Sequence, residues 1–111
     1  MGRMSRDKGA KGEREVVALV RAAGWPDASR NWRSGADGHG DIAHGPALTV
    51  IESKLTDHFE LRRFWAQVSG DADRAGVGYL PLLAHRWSGG QWLGITELSE
   101  LLALIALREL S

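Results

Sequence analysis

Two carboxylates and an amine, Asp41, Glu52 and Lys54, fall close together in the stretch GDIAHGPALTVIESK. Gly45-Pro46 marks a turn between Asp41-Ile42-Ala43 and the apolar run Leu48-Thr49-Val50-Ile51, a pattern that predicts a short β-hairpin. Side chains alternate faces along a strand, so Glu52 and Lys54 point the same way and Asp41, on the neighbouring strand, can lie beside them. Two acids at one point bind a hard cation such as Mg²⁺ through oxygen, and that ion keeps several waters. A lysine beside the ion can orient or deprotonate an attacking water. Such a set hydrolyses phosphodiesters. The plainer reading is three solvated surface charges. Against it, Glu52 and Lys54 close a β-branched apolar run, where a charge costs free energy unless it is paired or binds something.

The elements that must position these groups follow from periodicity. The segment GAKGEREVVALVRAAGW predicts a helix over residues 8–23, stopped at Gly24 with Pro26 beyond, whose apolar stripe is Val16, Val17, Val20 and Ala23. Glu13 precedes Val16 and Val17 by three and four residues and shares their inward side. Its simpler role is to complement the positive end of the helix dipole. Glu15 points elsewhere and reads as a surface charge. Residues 1–7 read as a basic flexible arm, and residues 8–111 as a single domain. Arg30-Asn31-Trp32 reads as a short strand, followed by the glycine-rich loop of residues 34–40, which lets backbone approach a ligand. A second helix over 59–75 has the stripe Leu61, Phe64, Trp65, Val68 and Ala72. Strands over 79–87 and 92–95 are joined by Ser88-Gly89-Gly90-Gln91, with Pro81 suited to an edge or bulge. A last helix over 97–109 takes Thr96 as its N-cap. The order is that of an α/β fold.

Lys8-Gly9-Ala10-Lys11-Gly12-Glu13-Arg14-Glu15-Val16, Gly24-Trp25, Arg33-Ser34-Gly35, Gly40-Asp41-Ile42 and Ile51-Glu52-Ser53-Lys54 occur in that order. Together they resemble the PD-(D/E)xK nuclease superfamily, and most of all the archaeal-type Holliday junction resolvases and their phage-borne relatives. The motifs span residues 8 to 55; the rest matches in element order. The resemblance implies a restriction-endonuclease-like core, a central mixed sheet of four to five strands flanked by helices. It implies a Mg²⁺-dependent endodeoxyribonuclease, with Mn²⁺ as substitute. Asp41 and Glu52 would be metal ligands, Lys54 would activate the water, and Glu13 would complete the metal site. Ser34 matches a serine near the scissile strand. Gln67 matches a glutamine that many members carry on the helix after the Glu-x-Lys strand; the competing reading is a surface glutamine. Two departures are Ser53, where an aliphatic residue is usual, and the insertion-like Ala36-Asp37-Gly38-His39.

Composition sets the bounds. The chain has 111 residues, enough for one domain, with 43% hydrophobic and 25% charged residues and no cysteine. A disulfide framework and a cysteine-based zinc site are thereby excluded. No apolar run is long enough to span a bilayer and no signal-peptide pattern opens the chain, so it reads as cytoplasmic. Net charge is zero but unevenly spread: residues 1–33 hold eight Lys and Arg against four acids. Arg6, Lys8, Lys11, Arg14, Arg30 and Arg33, with Arg62 and Arg63 on the second helix, are candidate contacts to DNA phosphates.

The last helix is apolar on more than one face, which suits burial in a homodimer; the alternative is a terminal helix deep in its own core. Among the tryptophans, Trp65 belongs to a core stripe, Trp87 and Trp92 can pair across a hairpin, and Trp25 closes the first helix. Trp32, beside Arg30 and Arg33, reads as a core strand residue, with stacking on a base as its alternative. Three functions compete: an endonuclease on branched, junction, flap or linear DNA, a non-cleaving DNA-binding module of the same fold, and a transition-metal site built from His39, Asp41 and His44. The last needs a turn that brings its two histidines together.

Overall fold

The computed structural model describes residues 3–32 and 40–111, with side chains from residue 7 onward. Among them the chain forms α1 (Arg3–Ala23), β1 (Ser29–Arg30), β2 (Ile42–Ala43), β3 (Thr49–Leu55), α2 (Leu61–Ala75), β4 (Leu80–Arg86), β5 (Leu93–Ile95) and α3 (Leu98–Glu109). The main sheet has the order β3-β4-β5, with β3 parallel to β4 and β4 antiparallel to β5. A parallel pair needs a crossover, and α2 supplies it. This is a mixed α/β sheet of three strands among the described residues, smaller than the four to five expected.

The predicted hairpin does not form. β2 pairs antiparallel with β1, not with β3, and among the described residues this small sheet joins the main one through the parallel bridge between Gly40 and Ile51. The connection to β3 carries two left-handed residues, His44 (φ 60°) and Leu48 (φ 54°), where a tight hairpin turn was expected at Gly45-Pro46. At the bridge Gly40 has φ 78°, and a Cβ there would lie 2.6 Å from the Ile51 carbonyl oxygen. Only glycine meets both demands.

The strand period of two sorts β3 between two cores. Ile51 packs with Val16, Val17, Ala28, Ile42 and Ala84 under α1. Val50 packs with Phe64, Val68, Ala72 and Leu83 under α2. Gly12 lets α1 come close to the sheet, because a Cβ at that position would stand 3.0 Å from the Leu55 Cβ.

Several local expectations need correction. α1 starts at Arg3, five residues before the expected start at residue 8. Ala23 and Leu61, expected on apolar stripes, are exposed, Ala23 as the last residue of α1 and Leu61 as the first of α2. Pro81 sits in the central strand, but β5 pairs only with Leu83, Ala84 and His85, so no β5 partner is asked of its missing N–H. The Thr96 hydroxyl donates to the Pro81 carbonyl (2.6 Å) and does not cap α3, whose N-cap residue is Glu97. No residue of α3 is buried, which removes the reading of α3 as a core helix. No helix among the described residues is long and apolar enough to cross a membrane.

Candidate functional site

β3 carries the centre of the site. Val50, Glu52 and Lys54 alternate with Ile51, Ser53 and Leu55, so Glu52 and Lys54 continue the face that Val50 packs under α2. Asp41 arrives from the Gly40 bridge. Its backbone N–H donates to the Ile51 carbonyl (2.8 Å), and its Oδ2 accepts from the Ser53 N–H (2.8 Å). The side chain is thus pinned to β3 beside Glu52. A cleft of about 560 Å³ gathers Glu13, Asp41, Glu52, Lys54 and Gln67, with Lys8, Arg63 and Phe64 among its other walls.

Glu52 is 2% exposed and its Oε1 has no hydrogen-bond partner. Burial first, then hydrogen bonding to Asp71 and the charge of Asp41, pushes its carboxyl up to about 10. Asp71 was missed by the sequence reading. It comes from α2, is buried, does not line the cleft, and pairs with Arg74. A signal for it existed: Phe64, Val68 and Asp71 are spaced i, i+4, i+7, which puts an acid on the inward stripe of α2.

The cationic side of the cleft is also ordered. Lys54 Nζ lies 5.2 Å from the Phe64 ring centroid, and Arg63 Cζ lies 5.1 Å from it. Arg63 is also tied to Glu60 at 2.8 Å. Gln67 is exposed at the cleft. Glu13 lines the cleft, but its Oε1 accepts from Arg30 Nε (2.9 Å). Its neighbour Glu15 is not the plain surface charge expected: it accepts from Arg86 Nε (3.0 Å) and Nη2 (3.2 Å) and from Trp92 Nε1 (2.8 Å). The Trp92 and Arg86 hydrogen bonds hold its carboxyl below the usual value of 4.5, against a smaller opposing effect of burial. Trp92 is therefore committed to α1, and Trp87 lies beside His85 (6.0 Å between ring centroids).

The remaining predicted residues scatter. Arg62 is exposed on α2 outside the cleft lining. Lys11 lines a separate groove with Asp7, Lys8 and Arg86, and Arg14 and Arg30 line another with Trp32. Ser34, Arg33, His39 and the Arg6 side chain lie outside the described residues. His44 lines a cavity with Asn31, Pro46 and Tyr79 that does not include Asp41.

Among the described residues, no three His, Asp or Glu side chains converge to hold one ion. Asp41 and Glu52 offer two carboxylates, one with an orphaned buried oxygen. That donor set fits a hard cation that keeps most of its own water, the usual habit of Mg²⁺. Comparison with protein-family models, curated proteins and solved structures finds no match for this chain.

Proposed function

We propose that this protein is a metal-dependent endonuclease that hydrolyses phosphodiester bonds in branched DNA. The observation that carries the reading is the partnerless buried oxygen of Glu52 beside Asp41, in a cleft whose other walls include Lys8, Lys54 and Arg63. A carboxyl pushed up to about 10 is costly to ionise, and a divalent cation between Asp41 and Glu52 would remove that cost. Such a cation supplies Lewis-acid stabilisation of the phosphoryl oxygens. Asp41 and Glu52 would hold it, with Asp41 kept in place by the Ser53 N–H. Lys54, on the same strand face as Glu52, would orient the attacking water, and Lys8 and Arg63 would contact the flanking phosphates.

Symmetric incision of a junction needs two sites, and α3 offers a means of pairing two copies. Leu98, Leu102, Leu104, Ile105 and Leu107 are all more than half exposed on it. A C2 homodimer through α3 would cover them.

The test is cleavage in Mg²⁺ and in Mn²⁺ of a four-way junction, a flap and a linear duplex, with Glu52→Ala beside the native chain. Cutting that Glu52→Ala abolishes supports the nuclease; paired symmetric nicks on the junction would add resolution and a working dimer. Binding without cutting by the native chain would replace this reading with that of a DNA-binding module.

A further inference from the structure

Trp32 is 82% exposed, contrary to the core position its strand pattern suggested. The reason is local: β1 ends at Arg30, and Trp32 stands in the turn beyond it, off the sheet. An indole is the largest apolar side chain, and leaving it in water forgoes the gain of burial. Its surroundings are cationic. The Arg30 guanidinium covers one ring face, with Cζ 4.5 Å from the centroid. Arg14 and Arg21, two turns apart on α1, line the same groove of about 350 Å³ with Val17, Ser29, Arg30 and Trp32. Arg21 is anchored there by Nε donating to the Ala28 carbonyl (2.7 Å). No carboxylate is among the groove's described lining residues.

Three arginines lining one groove with an exposed indole match a phosphate joined to an exposed aromatic ring. In a duplex the base faces are already stacked on one another, so only an unpaired nucleotide has a face to offer. Arg30 ties this groove to the acid cleft, because the same side chain donates from Nε to Glu13, which lines that cleft. The backbone does so again, as the Asn31 N–H donates to the Asp41 carbonyl (2.8 Å). We infer that Trp32, with Arg14, Arg21 and Arg30, is a stacking platform for an unpaired nucleotide of a DNA strand entering the acid cleft. This rests on the nuclease reading of the cleft, and it narrows the substrate to DNA with a single-stranded arm or flap beside the cut.

The experiment is fluorescence anisotropy in EDTA, which separates binding from cleavage. The probes are labelled oligo-dT and a hairpin duplex, each with the native chain, Trp32→Ala and Trp32→Phe. Trp32→Ala should weaken oligo-dT binding about tenfold or more, as loss of one stacked base does, while duplex binding changes less than about twofold. Trp32→Phe should restore most of the difference. Unchanged oligo-dT binding, or equal losses on both probes, overturns the platform. In Mg²⁺, the native chain and Trp32→Ala are then compared on a flap substrate. A raised KM in Trp32→Ala supports the inference. Cutting with an unchanged KM overturns the platform and leaves the nuclease standing. No cutting by the native chain overturns the nuclease reading on which it rests, even where Trp32 still governs oligo-dT binding.

Discussion

At the scale of single residues, Glu52 holds opposing demands in one side chain. Folded without a cation, it keeps its proton up to about pH 10, whereas the unfolded chain releases it near 4.5. Between those values the unfolded state binds fewer protons, so stability falls as pH rises. Glu52→Gln removes that dependence. In EDTA its Tm should exceed the native value by a margin that grows from about pH 5 to about pH 9, while cleavage is lost; a melting series on the two proteins checks the sign. Asp71→Asn tests the partner. With the carboxyl–carboxyl hydrogen bond weakened, Glu52 ionises more readily, and the acid limb of the pH–rate profile should move to lower pH with the maximal rate largely kept. Glu52 and Lys54 were legible as neighbours because the strand period of two puts them on one face of β3, and Asp41 joins them through the Gly40 bridge and its bond to Ser53. Asp71 was equally legible from its helical phase and was overlooked, since attention to apolar positions discounts an acid within a stripe. Trp32 was misassigned because a strand pattern cannot say where the strand stops.

At the scale of elements, the site depends on how β2 meets β3. Gly40→Ala would place a Cβ against the Ile51 carbonyl in a left-handed conformation. The expected cost is at least ~2 kcal/mol in denaturant unfolding, with Asp41 displaced from the cleft. α1 is held on its other side by Glu15. Because the folded carboxyl is held below 4.5, its bonds to Trp92 and Arg86 stabilise the protein above that pH. The contribution is lost as pH falls through the lower folded value. Glu15→Gln should therefore melt earlier than the native chain at neutral pH, with the gap closing in acid. The helices and the β4–β5 hairpin were readable because their signals are local: a 3.6-residue stripe, or two short strands around Ser88-Gly89-Gly90-Gln91. The β2–β3 relation was not, because Gly45-Pro46 announces a turn without stating its handedness. The outcome rests on φ values at His44 and Leu48 that no residue type there demands.

At the scale of the whole molecule, α3 is an apolar helix with no buried residue, attached to a domain whose cores lie elsewhere. If two copies pair through it, light scattering should return twice the chain mass for the native protein and the single mass for Leu101→Glu combined with Leu104→Glu. The core should melt nearly unchanged, since neither leucine belongs to it. A native protein of single mass at high concentration would discard the pairing. Sequence anticipated the excess of leucine on α3, but not that all of it would lie outside the fold. Amphipathic pattern reports which face is apolar, and not which partner covers it. Among the described residues, one bridge links the two sheets. The β1–β2 ribbon is tied to β3 by that bridge, the Asp41–Ser53 hydrogen bond and Ile42 in the core, whereas β3 and β4 pair over seven residues, so the ribbon's amides should exchange with solvent sooner than those of the main sheet. Within β3, the Ser53 amide hydrogen is held by the Asp41 carboxylate, beside the ribbon. The Ser53 NMR resonance therefore reports on Asp41: an opening of the ribbon bares it to exchange, and a ligand that closes the ribbon slows its loss.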